Sequence, residues 1–302
     1  MDMALLMNSG AEAVETAIKA ARKWGETIRR IPAGEVEIVV CANNFHGRTI
    51  TIVSFSTESQ YREGFGPYTP GFTVVPFGDA AALARAITPR TAAFLVEPIQ
   101  GEAGIIVPPP GYLAECARIC RQHGVLLILD EIQSGLGRAG RLFAHQYEDV
   151  RPDGLIIGKA LSGGFYPVSA FAASREVLGV FRPGDHGSTY GGNPLACAVA
   201  RAALDVIRDE HLADRAETTG AYFMDRLRAL HSPVVKDVRG RGLWIGIELS
   251  EPARPYCEAL MREGMLCKDT HDRVIRIAPP LVITREEVDW AVDRLARVLV
   301  KR

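Results

Sequence analysis

The chain has 302 residues, of which 47% are hydrophobic and 24% charged, with a formal net charge of -1 and a pI near 6.7. This composition is typical of a globular protein with room for two domains, and it lacks the basic field that drives binding to nucleic acids or anionic membranes. We therefore expect small molecules and further copies of the chain as partners, with no nucleic acid and no membrane among them.

The N-terminus and the cysteines favour a cytoplasmic location. The first residues form neither a basic leader nor an apolar stretch long enough for a secretory signal. The six cysteines show no CxxC spacing, which suits a reducing compartment, and we interpret them as packing residues. Cys116, Cys120 and His123 could share one helix face, but no fourth zinc ligand lies nearby, so we expect no metal site.

The first element in chain order is a helix that begins after Ser9. Ser9 and Glu12 have the spacing of a capping box, and apolar residues recur at helical spacing from Val14 to Ile28. β-rich runs then alternate with helix-like stretches, which predicts an α/β fold with a mainly parallel sheet flanked by helices. The predicted strands are Glu37–Cys41, Thr73–Pro76, Ala93–Glu97, Val125–Asp130 and Gly154–Gly158, and the clearest intervening helix is Gly111–His123.

The last third of the chain has a different pattern. After a long predicted helix, a strand pair, a helix, a further strand and a terminal helix follow one another. These elements are predicted at Pro194–Glu210, within Val234–Glu248, at Pro255–Glu263, at Val274–Ala278 and from Arg285 onward. We therefore predict a large domain over residues 1–212 and a smaller C-terminal α+β domain over residues 213–302.

Polar residues follow three of the predicted strands, at the carboxyl ends where sheets of this type bind ligands. Asp130 and Glu131 end one strand, Glu97 ends another, and Lys159 follows a third. A structural ion pair between a carboxylate and the lysine is an alternative that spacing alone leaves open.

Two nucleotide-binding motifs are recognisable, but one has the wrong surroundings and the other lacks required residues. Residues 135–140 fit GxGxxG, but the preceding strand ends in two acids and no helix with a small, apolar inner face follows, so we interpret them as a loop. Lys159 is followed by Ala160, and Asp153 stands where a Walker motif needs glycine. The sequence therefore favours neither a nicotinamide enzyme nor a nucleotide hydrolase.

The remaining candidate cofactor is pyridoxal 5'-phosphate. It needs a lysine for a Schiff base, a carboxylate for the pyridine nitrogen and a binding site for its phosphate. Lys159 and Asp130 provide the first two. Ser9, Gly10 and Ala11 would offer backbone N–H groups at a helix N-terminus, where the helix dipole favours an anion. Ser9 can cap the helix at the same time.

Six motifs, spread in register along essentially the whole chain, resemble those of the class III aminotransferases, which have the fold-type I architecture. They are residues 7–17, 44–49, 97–104, 130–135, 158–164 and 187–194. Within the class, residues 64–72, 162–170 and 275–281 look like the ornithine aminotransferases more than the acetylornithine or 4-aminobutyrate enzymes. The resemblance implies transfer of the terminal amino group of ornithine to 2-oxoglutarate, giving glutamate semialdehyde and glutamate. Acetylornithine, 4-aminobutyrate and other ω-amino acids remain alternative donors.

The resemblance also implies roles for residues around the cofactor. Lys159 would form the Schiff base and then move the proton, and Asp130 would pair with the pyridine nitrogen. Gln133 would lie near the ring hydroxyl, and Phe45 would stack on the ring. Thr189 would reach the phosphate bound by the other subunit of a homodimer.

Three further residues are implied to bind the substrates. Arg48 would bind the α-carboxylate of ornithine, and Arg276 that of 2-oxoglutarate. Glu102 would pair with Arg276 during the first half-reaction, so that ornithine enters with its terminal amine toward the cofactor. A structural salt bridge is the alternative for Glu102 and Arg276, and His46 stays without an assigned role.

Members of this family begin well upstream of Asn8, with a segment that completes the small domain and the substrate pocket. A form limited to these residues would leave apolar surface uncovered. We expect such a form to fold its large domain but to show little transamination alone. An inactive fragment or a subunit is therefore the alternative function of another class.

Overall fold

The computed structural model describes residues 1–300, which divide into two compact units. Unit 1 comprises residues 1–98, 108–133 and 145–204, and unit 2 comprises residues 99–107, 134–144 and those from 205 onward. The domain boundary after residue 212 stays a prediction. Two short segments that the sequence analysis placed in the large domain, residues 99–107 and 134–144, belong to unit 2.

Unit 1 contains a seven-stranded sheet. Its strands are β1 (Met3–Met7), β2 (Glu37–Cys41), β3 (Phe72–Val75), β4 (Thr91–Val96), β5 (Leu126–Asp130), β6 (Gly154–Ile157) and β7 (Ser169–Ala173). They lie in the order β1-β7-β6-β5-β4-β2-β3. The five strands β2 to β6 pair in parallel, whereas β7 is antiparallel to both of its neighbours. The predicted mainly parallel sheet is therefore confirmed.

The sequence analysis did not predict β1 or β7. β7 contains three alanines in five residues, and alanine is depleted in strands, so its strand signal is weak. The five strands of the parallel part were predicted to within two residues at each end, because their β-branched and aliphatic runs stand out in the sequence, and in β2, β4, β5 and β6 nearly every residue is buried.

Helices flank this sheet. They are α1 (Gly10–Thr27), α2 (Ile50–Ser54), α3 (Ser59–Arg62), α4 (Ala80–Ala86), α5 (Tyr112–His123), α6 (Arg175–Leu178) and α7 (Pro194–Asp209), which begins in unit 1. The predicted capping box of α1 is confirmed, since Ser9 Oγ accepts the N–H of Glu12 at 3.3 Å and Glu12 Oε2 accepts that of Ser9 at 2.7 Å. The buried stripe of α1 includes Val14, Ala17 and Ala21 and packs in the core with sheet residues.

Unit 2 contains a four-stranded antiparallel sheet in the order β10-β11-β9-β8, formed by β8 (Val235–Arg241), β9 (Trp244–Leu249), β10 (Lys268–Thr270) and β11 (Val274–Ile277). Its helices are α8 (Leu212–Arg228), α9 (Arg254–Arg262) and α10 (Arg285–Leu299). The smaller α+β part is therefore confirmed, although α8 and β10 were not predicted. Residues 135–140 form consecutive turns and a bend, as the loop interpretation of GxGxxG requires.

No helix within residues 1–300 combines the length and the apolar character that crossing a membrane requires. In the same described range, no three His, Cys, Asp or Glu side chains are grouped as a metal site. The cysteines are free thiols, and four of them are buried in the two cores: Cys41, Cys116, Cys120 and Cys257.

Candidate active site

Gly158 separates Lys159 from the end of β6, and Lys159 opens a short 3-10 helix, Lys159–Ser162. Its φ of +42° lies in the left-handed region. Residues other than glycine rarely adopt this region, and the strain costs about 1–3 kcal/mol where the surroundings impose it, most often at functional sites. The side chain lines two neighbouring cavities of about 350 and 260 Å³. The strained turn therefore presents the lysine amine to both cavities.

The smaller cavity, called the inner cavity here, lies at the carboxyl ends of the parallel strands. Residues that follow β2, β4, β5 and β6 line it together with the first turn of α1. The lining residues are Gly10, Ala11, Phe45, His46, Gly47, Glu97, Asp130, Ile132, Gln133 and Lys159. The fold thus brings together most of the residues predicted to hold a cofactor.

Asp130 ends β5 and is only 4% exposed. Its Oδ2 lies 2.7 Å from Nδ1 of His46, and its Oδ1 accepts the backbone N–H of Ile132 at 3.0 Å. His46 is buried, and its Nε2 has no hydrogen-bond partner within residues 1–300. Both carboxylate oxygens are therefore fixed in direction, one by the backbone and one by the histidine.

The electrostatics of His46 follow from these contacts. Burial lowers its pKa, but the hydrogen bond and the charge of Asp130, with the charge of Glu97, outweigh burial and raise the pKa above the ordinary 6.5. With its Nδ1 2.7 Å from Oδ2, the imidazole can donate an N–H to Asp130 and hold this oxygen in place. His46 thus acts on Asp130, a role that sequence analysis left unassigned.

We expect His46 to make the free energy of unfolding depend on pH. A histidine whose pKa is raised in the folded chain stabilises the fold fully below its unfolded pKa, 6.5, and this stabilisation is lost as the pH rises through the folded value. The difference in unfolding free energy between wild type and His46→Asn should therefore shrink with rising pH. Urea titrations between about pH 5 and 8, the range in which histidines commonly change charge, measure it.

The control for this prediction is His231→Asn, because His231 is exposed. Its effect on the unfolding free energy should be small at every pH. A constant difference between wild type and His46→Asn over the whole range would contradict a proton-dependent His46–Asp130 bond.

Glu97 fastens the loop that carries Phe45 and His46. It directly follows β4, is 4% exposed, and accepts the backbone N–H of Phe45 at Oε2 with a distance of 3.0 Å. Glu97 stands at a predicted strand end, and no role was predicted for it from the sequence. The available signal was its position, which matches that of Asp130 on the next strand of the sheet.

The first turn of α1 offers donors for an anion. Asn8, Ser9 and Gly10 line the larger cavity, and the capping box engages the N–H groups of Ser9 and Glu12 but not those of Gly10 and Ala11. N–H groups at the start of an 18-residue helix form a favourable anion site. Gly10 packs closely here, because a Cβ would lie 2.9 Å from Cδ1 of Ile132 and would require that side chain to shift.

Gln133 contributes a donor of a different kind. It lines the inner cavity, and its amide nitrogen is buried without a hydrogen-bond partner in the described residues 1–300. A buried polar atom without a partner costs free energy, so a ligand oxygen at this place would be stabilising.

Two of the predicted site residues in unit 1 do not line either cavity. Arg48 is exposed, with its guanidinium 5.6 Å from the ring centre of Phe45 and 5.2 Å from that of Tyr61. Thr189 is exposed as well. The roles of Arg48 and Thr189 therefore stay predictions.

Unit 2 contains the predicted ion pair. Arg276 Nη1 lies 2.6 Å from Glu102 Oε1, and the two side chains are 22% and 16% exposed. Lys268 Nζ lies 3.3 Å from the other carboxylate oxygen, a contact that the sequence analysis missed. Burial raises the pKa of Glu102, but the charges and hydrogen bonds of Arg276 and Lys268 outweigh it and lower the pKa. Glu102 is therefore an ionised carboxylate bound to two cations.

Comparisons with known proteins agree with this arrangement. The ornithine aminotransferase of Bordetella pertussis (strain Tohama I) is 63% identical over 298 residues, which are 98% of this chain and 72% of that protein. The ornithine aminotransferase structure from Toxoplasma gondii ME49 is similar with a TM-score of 0.97 and 49% identity, covering 98% of this chain and 72% of that one.

An acetylornithine aminotransferase structure from Elizabethkingia anophelis has a TM-score of 0.89 at 49% identity, covering 99% of this chain and 75% of that one. The family model described as aminotransferase class III matches residues 1–299, and so includes both units. Nearly the whole chain thus matches one family, with a lysine and a carboxylate at neighbouring strand ends. The chain belongs to the class III aminotransferases.

Proposed function

We propose that this chain acts in the cytoplasm and transfers the terminal amino group of ornithine to 2-oxoglutarate, giving glutamate semialdehyde and glutamate. The main support for ornithine as the donor is the contact between Glu102 and Arg276, because it neutralises an arginine that would otherwise attract a second carboxylate. The similarity to proteins named ornithine aminotransferase supports the same choice. Free thiols suit a reducing compartment.

The two cavities suit pyridoxal 5'-phosphate, the cofactor of this family. The N–H groups of Gly10 and Ala11 would bind its phosphate, and the unpartnered amide of Gln133 would reach its ring hydroxyl. The Asp130 carboxylate would accept a hydrogen bond from the ring nitrogen, and the Lys159 amine would hold the cofactor covalently. When bound, the cofactor supplies an electron sink for the carbanion that forms when a substrate carbon loses its proton.

The protein's own contribution is to position groups and to move a proton. We assign the proton transfer to the Lys159 amine, which would take the proton from the substrate carbon and deliver it to the bound cofactor. Asp130 keeps its negative charge directed at the ring nitrogen, because His46 and the N–H of Ile132 fix its two oxygens. Phe45, fastened by Glu97, would cover one ring face and exclude water.

Substrate selection would depend on whether Arg276 is paired with Glu102 or free to bind a substrate carboxylate. Ornithine has one carboxylate, which we assign to Arg48, and this leaves the terminal amine to react. 2-Oxoglutarate has a second carboxylate, which would displace Glu102 and bind Arg276. The same arginine would thus be masked in one half-reaction and used in the other.

We also propose a homodimer. In unit 1, Phe165, Tyr190 and Leu195 are 88%, 71% and 56% exposed, and an interface with a second copy would remove apolar surface of this kind from water. Thr189 does not line the two cavities of its own chain, which agrees with a role at the phosphate bound by the other subunit.

Amine-donor profiling of wild type and Glu102→Gln tests the proposal. With 2-oxoglutarate as acceptor, wild type should have its highest kcat/KM for ornithine, above acetylornithine and 4-aminobutyrate. Glu102→Gln should raise kcat/KM for glutamate relative to ornithine by about tenfold, since it unmasks Arg276 and removes an interaction of ~1.4 kcal/mol. This ratio is measured from steady-state rates.

The matched control is Glu248→Gln, because Glu248 is paired with Arg239 within the same unit. Its donor preference should equal that of wild type. An unchanged preference in Glu102→Gln would reduce the Glu102–Arg276 pair to a structural salt bridge. A wild-type preference for acetylornithine would favour the alternative donor, and absence of turnover with every donor would favour an inactive subunit.

A further inference from the structure

The carboxylate of Glu102 contacts two cations, although masking Arg276 needs only one contact. Lys268 on β10 and Arg276 on β11 are direct cross-strand partners, so their side chains lie on the same face of the sheet. Like charges directly opposite each other destabilise a strand pair. Each carboxylate oxygen of Glu102 contacts one of the cations, Oε1 at 2.6 Å and Oε2 at 3.3 Å, and so stabilises both.

The backbone of Glu102 is fastened independently of its carboxylate. Thr270 Oγ1 donates to the carbonyl oxygen of Glu102 at 2.5 Å, and Arg239 Nε donates to that of Gly104 at 3.0 Å. The segment therefore stays attached to the sheet of unit 2 when the Glu102 side chain changes rotamer. Only side-chain torsions must change for the carboxylate to leave Arg276.

A carboxylate that loses Arg276 needs another counter-ion. The side chain of Glu102 is 16% exposed, so water compensates its charge only in part, and an unpaired charge in such a place is costly. The side chain of Lys268 is 59% exposed and already contacts the free oxygen. This lysine can follow the carboxylate at little cost because its ammonium group remains hydrated.

We propose that Lys268 is a positioning residue that holds the carboxylate of Glu102 while Arg276 binds a substrate carboxylate. The inference rests on the proposed function, since it takes Arg276 as the acceptor of the second carboxylate of 2-oxoglutarate. Glu102 then exchanges one cation for the other and is never left without a counter-ion. Lys268 therefore favours binding of a dicarboxylate and does not affect binding of ornithine.

Binding of glutarate, a dicarboxylate that cannot undergo transamination, tests the inference by calorimetry on the cofactor-loaded chain. Lys268→Met keeps an unbranched, flexible stem of similar size and removes the charge, and it should raise the Kd for glutarate about tenfold, within the range for directly coupled groups. Lys268→Arg should restore the wild-type Kd. Lys236→Met, at an exposed position of β8, is the matched control and should leave the Kd unchanged.

The double variant separates positioning from direct binding. In a Glu102→Gln background, Lys268→Met should leave the Kd for glutarate unchanged, because the lysine acts only through the carboxylate. An equal rise in Kd in both backgrounds would show direct contact of Lys268 with the ligand and overturn the proposal. An unchanged Kd in Lys268→Met alone, or absence of glutarate binding to wild type, would also overturn it.

Steady-state kinetics give a second readout. Lys268→Met should raise the KM for 2-oxoglutarate and leave the single-turnover rate with ornithine unchanged, a split that a general loss of stability would not produce. Failure of the proposed function has a different signature, namely a donor other than ornithine in the wild-type profile. Glutarate binding is independent of that profile, so the two failures are distinguishable.

Discussion

Replacing Lys159 with alanine is expected to lower kcat for ornithine and 2-oxoglutarate by at least ~10²–10⁴-fold, the usual contribution of one positioned acid–base group. Two functions would be lost together, since the same amine would hold the cofactor and move the proton. The loss should appear in kcat as well as in kcat/KM, because no neighbouring residue of the inner cavity offers another amine. Steady-state assays at saturating substrate measure it.

Covalent labelling tests the same residue without turnover. Borohydride reduction of the cofactor-loaded chain, followed by peptide mapping, should place the pyridoxyl group on Lys159. Lys236→Ala is the matched control, since Lys236 is an exposed lysine of unit 2, and this variant should keep both the label on Lys159 and the activity. A label on Lys19, Lys23 or Lys268 would contradict the assignment of Lys159.

The second large effect is expected for Asp130→Asn, which should lower kcat by ~10²–10³-fold while leaving the cofactor bound. Asparagine keeps the size of the side chain but removes the charge that favours a protonated ring nitrogen, and each pKa unit lost at that nitrogen corresponds to about 1.4 kcal/mol. Binding should persist because Lys159 and the first turn of α1 are unchanged. Absorbance of the bound cofactor measures whether the variant retains it, and single-turnover rates with ornithine measure the loss of rate.

Glu131→Gln is the control for Asp130→Asn, because Glu131 is the adjacent buried carboxylate, bonds His145 at 2.9 Å and does not line the inner cavity. Thermal unfolding of both variants separates loss of stability from loss of chemistry. Near-normal turnover in Asp130→Asn would show that another group controls the ring nitrogen.

The site in unit 1 could be predicted in large part because its residues occupy positions that local patterns reveal. Asp130 ends β5 and Lys159 lies just beyond β6, two strands whose buried aliphatic runs are visible in the sequence, and parallel strands bring their carboxyl ends to one edge. Ser9 and Glu12 form the capping box that their spacing predicts. In these cases a contact or a position depends on neighbours along the chain.

Contacts between residues that are distant in sequence were harder to predict. His46 and Asp130 are 84 positions apart, and a lone histidine beside an aromatic residue has no pattern that indicates its acceptor. β1 is the edge strand of the sheet and pairs with β7, although the alanines of β7 give little strand propensity. Here burial and pairing override local preference.

The sequence by itself determined the alternation of strands and helices, the strand-end lysine and carboxylate, and the family, because these depend on local periodicity and on motifs in register. Only the tertiary structure assigned residues 99–107 to unit 2 and placed Lys268 against Glu102, 166 positions away, beside the contact with Arg276 that the resemblance had implied. Charge pairing of this kind depends on which segments the folded core brings within about 4 Å of each other, the distance at which oppositely charged side chains form an ion pair. No local pattern of residues contains that information.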